Sequence, residues 1–104
     1  MKRILATISI LLATTATAAT ADEYDTVAAK WRTCSACHGA KAEGKPGFPG
    51  LQTLGQEHIV EALQDYKAGV YRGDQSVIMF GQAATLSDEE VELMAKYIKE
   101  ISND

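Results

Sequence analysis

Cysteine, histidine and proline each occur only twice in this sequence, and positive charge is scarce: ten Lys and Arg face fourteen Asp and Glu. Each shortage closes off a class of function. Two Cys and two His make at most one four-ligand zinc site, and it would consume Cys34, Cys37, His38 and His58 together. The lack of basic residues disfavours nucleic acid and anionic lipid as partners, because both are bound by clustered cations that displace counterions. No apolar run reaches the ~20 residues that a bilayer crossing needs, which argues against a membrane anchor. With 104 residues there is room for one domain only.

The first 21 residues differ from the rest. Lys2 and Arg3 are followed by a mostly apolar stretch over residues 4–12 and then by uncharged Ala and Thr. This is the pattern of a secretory signal peptide. Ala16-Thr17-Ala18 and Ala19-Thr20-Ala21 both offer small residues at signal-peptidase spacing, and cleavage is expected after Ala21, where charge begins at Asp22. Removing Lys2 and Arg3 leaves eight basic residues against fourteen acids, a formal charge of −6 on a domain of residues 22–104. A basic or weakly charged docking partner suits such a surface. The remaining 83 residues are close to the size at which a core alone is marginal and a staple or cofactor helps.

Three helices are expected. Tyr24, Val27, Ala28 and Trp31 mark one face of a helix from residue 22 to about 36. The glycines and prolines from Gly39 to Gly55 predict an irregular wrapping loop. Ile59, Val60, Leu63 and Tyr66 mark a second helix over residues 57–68, stopped by Gly69. Residues 70–86 are expected to be irregular, with Gly73 and Gly81 bracketing Val77, Ile78, Met79 and Phe80. Ser87 and Glu90 form a capping box that opens a third helix, with Asp88 and Glu89 at the positive end of its dipole and Val91, Met94, Ala95, Ile98 and Ile101 as its buried stripe. No strand-like alternation is visible.

Cys34-Ser35-Ala36-Cys37-His38 is a C-x-x-C-H motif, the spacing of c-type haem attachment. On a helical turn, residues three apart share a face, so both sulfurs can reach the two vinyl groups along one side of a porphyrin, and His38 follows as an iron ligand. A Cys34–Cys37 disulfide or a thioredoxin-like pair is the alternative, but the latter needs a βαβ context that this chain lacks. A zinc site would leave the apolar segment around Met79 without a purpose.

Together with these residues, Phe48-Pro49-Gly50-Leu51, Tyr66-Lys67-Ala68-Gly69, Met79, Leu86-Ser87-Asp88-Glu89-Glu90 and Tyr97-Ile98 occur in an order and spacing that resembles the class I c-type cytochromes, across the whole of residues 22–104. The small soluble bacterial ones and the single domains of dihaem cytochromes are most similar. The resemblance implies an all-α fold wrapped round one covalent haem c, with Met79 as the axial ligand opposite His38 and with Pro49 accepting the other ring N–H of His38 through its carbonyl. A soft thioether in an apolar loop also fits His/Met ligation on chemical grounds. Met94, the competitor, lies on a helix stripe where methionine is usually core filler. Trp31 and Tyr97 are expected to pack between the terminal helices or on the porphyrin. His58 stands where many relatives have tyrosine, either bonded to a haem propionate or solvated at a helix start. Phe80 replaces a common proline, and Gly55-Gln56 is displaced relative to Pro49.

The implied function is one-electron transfer in the periplasm between protein donors and acceptors, a flavoprotein or a terminal oxidase or reductase among them, with no enzymatic activity of its own. Contact is expected at an apolar patch of Ala36, Gly39, Phe48, Leu51, Met79 and Phe80. A haem subunit of a flavocytochrome c complex is the second reading, and a haem enzyme or gas sensor with an open iron is the third.

Overall fold

The computed structural model describes residues 20–103, so the signal-peptide reading lies outside the described residues except for its last two positions. Four helices follow in order: α1 (Ala21–His38), α2 (Gln56–Lys67), α3 (Ser76–Ala83) and α4 (Asp88–Ser102). Among the described residues no strand forms, only an isolated bridge between Lys45 and Phe48, and no helix is long and apolar enough to cross a membrane.

The expected first, second and third helices correspond to α1, α2 and α4. Thr20 caps α1 by accepting from Glu23 N at 3.3 Å. The helix runs two residues further than periodicity alone suggests, through His38, and stops where Gly39 takes φ 89°. α2 ends in a Schellman turn: Gly69, at φ 76°, donates to Tyr66 O at 3.1 Å while Val70 N donates to Asp65 O at 2.9 Å. At the start of α4 both halves of the capping box are present, Glu90 N to Ser87 Oγ at 3.1 Å and Ser87 N to Glu90 Oε1 at 3.0 Å.

The segment expected to be irregular, residues 70–86, contains α3. Its inward positions are Ser76, Met79, Phe80 and Ala83, which do follow the i, i+3, i+4, i+7 spacing, whereas the aliphatic Val77 and Ile78 are 60% and 53% exposed. The helix is thus apolar on its exposed side as well as its inward one, and Gly81 sits inside it rather than ending it. Ser76 compensates for its burial with two bonds: its Oγ donates to Gly73 O and accepts from Arg72 N, each at 2.7 Å.

Packing is organised by α4, which lies against both α1 and α2, with α3 laid on α2. Val91, Met94, Ala95 and Ile98 of α4 meet Val27 and Trp31 of α1 and Ile59 and Leu63 of α2 in one core. Tyr97 joins the terminal helices, its ring 5.7 Å from Tyr24 and 6.3 Å from Trp31. Tyr24 also donates to the Glu100 carboxylate, so α1 and α4 are locked by packing and by a hydrogen bond.

Candidate cofactor site

Between the helices lies a cavity of about 820 Å³, within the range of cofactor pockets. One wall comes from α1 and the loop after it. Cys34 and Cys37, three apart on α1, both face the cavity, and both are free thiols. Burial pushes the Cys34 thiol up, its proximity to Cys37 adds to this, and a backbone hydrogen bond opposes it. The Cys34 thiol donates to Lys30 O at 3.7 Å, one turn back on the same helix.

His38 closes α1 and lines the same cavity. Its Nδ1 is 2.8 Å from Pro49 O. A carbonyl can only accept, so Nδ1 carries the proton and the Nε2 lone pair is left available to a metal. The loop that delivers Pro49 is folded tightly on itself: Gly44 N donates to His38 O at 2.6 Å, Leu51 N to Ala42 O at 2.8 Å, and Lys45 and Phe48 exchange backbone bonds at 3.2 and 2.9 Å. A Cβ on Gly44, whose φ is 89°, would stand 2.7 Å from Gly50 N, so the close approach of the two backbones needs glycine.

The opposite wall is α3. Met79 is half-buried and lines the cavity, supplied by a helix and not by the irregular loop that the sequence suggests. Beside it Phe80 is clasped by Tyr66 at 6.3 Å and by Tyr71, edge-on at 5.2 Å. Met94 is 1% exposed and belongs to the core, although it too reaches the cavity floor. Trp31 does the same, and its Nε1 donates to Ala40 O at 3.3 Å. His58 is exposed at the start of α2 and lines the rim.

Two features escaped sequence reasoning. Lys30, Gln75 and Thr85 also line the rim. Lys30 precedes Cys34 by four residues, so helical spacing alone puts it on the cavity face; nothing local marks Gln75 or Thr85. The exposed apolar surface is also displaced. Gly39, expected in a contact patch, is buried beneath Glu43, and Phe48, Leu51, Met79 and Phe80 are half-buried. The large exposed apolar side chains are Val70, Tyr71, Val77 and Ile78, the last of which also lines the cavity beside Met79.

The arrangement fits a haem: two thiols on one helical face, an imidazole with its second nitrogen already bonded, and a thioether on another wall of an apolar cavity. The family model described as Cytochrome c matches residues 21–102. A cytochrome c-553 of Helicobacter pylori is 33% identical over 102 residues, spanning 94% of this chain and 96% of that protein. One of Nitratidesulfovibrio vulgaris is 32% identical over 103 residues, 97% of this chain and all of the relative. Cytochrome c4 of Stutzerimonas stutzeri is 31% identical over 104 residues, 93% of this chain, which spans half the length of that relative.

Proposed function

The chain belongs to the cytochrome c family, with one covalent haem c on Cys34 and Cys37, and from that premise we propose that it carries single electrons in the periplasm with His38 and Met79 as the axial ligands. The observation that carries the ligand assignment is the bond between His38 Nδ1 and Pro49 O in a side chain that shares its cavity with Met79 and both cysteines. When bound, the haem supplies a one-electron couple. The protein's part is to hold it dry and in place. Pro49 fixes the imidazole tautomer and raises its basicity, while the thioether favours the reduced state relative to a second imidazole. Ile59, Leu63 and Leu51 keep water from the cavity, which limits reorganisation when the charge changes. A potentiometric titration of the exported protein tests this: one Nernstian wave with a slope of one electron supports a carrier, whereas catalytic turnover of a substrate in the absence of any redox partner contradicts it.

For export, we propose cleavage after Ala21. That cut removes Thr20 and its cap on α1, whereas a cut after Ala18 retains the cap. The intact mass of the exported holoprotein distinguishes them.

A second reading, the haem subunit of a flavocytochrome c-type complex, is favoured by the exposed Val70, Tyr71, Val77 and Ile78, because a permanent subunit presents an apolar face. Native-state mass measurement of the purified protein decides between them: a stoichiometric flavoprotein supports the subunit, and a monomer the diffusible carrier.

A further inference from the structure

Two hydrogen bonds cross the rim of the cavity from the His38 side to the Met79 side. At the start of α3, its N-cap residue Gln75 donates through Nε2 to Gly47 O at 2.8 Å, in the loop that carries Pro49. Just beyond the end of α3, Thr85 O accepts from Lys30 Nζ at 2.8 Å, and Lys30 projects from the helix that carries Cys34 and His38. Glu90 Oε2 holds the same ammonium at 2.7 Å, and Glu90 is itself fixed by the capping box of α4. Lys30, Gly47, Gln75 and Thr85 all line the cavity.

α3 needs such ties. It has eight residues and no side-chain cap at its start, it packs on α2, its Val77 is 60% exposed, and Ile78 lines the cavity beside Met79. Apolar burial therefore anchors one side of it only, and the cavity lies on another.

We propose that Gln75 and Lys30 are positioning residues for the axial methionine: one polar tie at each end of α3 sets how far Met79 stands from the His38 wall. Losing either tie lets α3 move outward and enlarges the fraction of protein in which the methionine has left the iron. The proposal rests on Met79 being the second axial ligand.

Added imidazole binds the ferric iron only where Met79 has left it, so its apparent affinity reports that open fraction. The test is an optical imidazole titration of ferric holoprotein for the wild type, Gln75→Ala, Lys30→Met, the double variant, Lys30→Arg and Lys99→Met. Lys99 is the control: its Nζ donates to Gln52 O at 2.9 Å, a comparable tie from α4 that does not touch α3. Loss of one hydrogen bond predicts roughly 3- to 10-fold tighter imidazole binding in Gln75→Ala; Lys30→Met, which also strips the buried Glu90 Oε2 of its cation, is expected to tighten it at least as much, with the two effects multiplying in the double variant. Lys30→Arg is expected near wild type and Lys99→Met unchanged. Unchanged affinity in Gln75→Ala, or equal tightening in Lys99→Met, overturns the proposal, and Gln75→Ala decides alone where Lys30→Met does not fold. A wild type that lacks the far-red methionine band before imidazole is added removes Met79 ligation and the proposal together. A wild type with the band and indifferent variants removes the proposal only.

Discussion

Around His38 the backbone supports itself. His38 O, Ala42 O and the Lys45–Phe48 pair are all bonded within a dozen residues of one another, Gly44 and Gly50 are in contact, and Pro49 O meets the imidazole 11 residues back along the chain. Around Met79 the support comes from afar: Gln75 reaches 28 residues back to Gly47, and Lys30 reaches 55 residues forward to Thr85. The first wall is close to a preformed ligand clamp. The second is a short helix moored by its ends, and local opening is expected where long-range, solvent-exposed bonds replace buried contacts.

The largest effect that separates the two walls comes from the cysteines. Cys34→Ala combined with Cys37→Ala should leave no haem attached after denaturing extraction, and far-UV circular dichroism should show a largely unfolded chain, since so small a core is marginal without its staple. Next is Gly44→Ala, in which a left-handed residue acquires a Cβ 2.7 Å from Gly50 N. A cost of about 2 kcal/mol or more is expected from guanidinium unfolding, with His38 ligation disturbed before the Met79 band is. On the other wall, Ser76→Ala deletes a buried hydroxyl that serves Arg72 N and Gly73 O. It should cost about 1.5 kcal/mol, and hydrogen exchange should quicken in α3 while α1 is unaffected.

The smallest expected effect is pH-dependent. The Lys30 ammonium, with the Ser87 backbone N–H, holds the Glu90 carboxyl below the usual carboxylate range. A depressed folded-state pKa contributes stability above the unfolded value of about 4.3, and that contribution is lost as pH falls through the folded value. Glu90→Gln should therefore cost about 1 kcal/mol near neutral pH, a figure discounted for a partly exposed pair, and the difference from wild type should close in acid.

This contrast also explains which parts were legible in the sequence. The C-x-x-C-H motif, the Gly-rich loop, the Gly69 stop and the Ser87–Glu90 box are local signals, and each meets its structural counterpart in α1, residues 39–55, α2 and α4. α3 was missed because its apolar residues Val77 to Phe80 form one continuous run between Gly73 and Gly81, which carries no helical period. The Gln75 and Lys30 ties join residues far apart in sequence, where no spacing rule applies. Gly39 does not join the expected patch because the Glu43 carboxylate, bonded to Lys41 N, folds over it within the same loop.

Whether Met79 faces His38 across the iron is read from optical spectra of ferric and ferrous holoprotein, in the wild type and in Met79→Ala. His38/Met79 ligation predicts c-type haem bands in both proteins, a weak far-red ferric band in the wild type alone, and carbon monoxide binding to the ferrous variant but not to the ferrous wild type. A wild type without the far-red band, or one that takes up carbon monoxide readily, contradicts it.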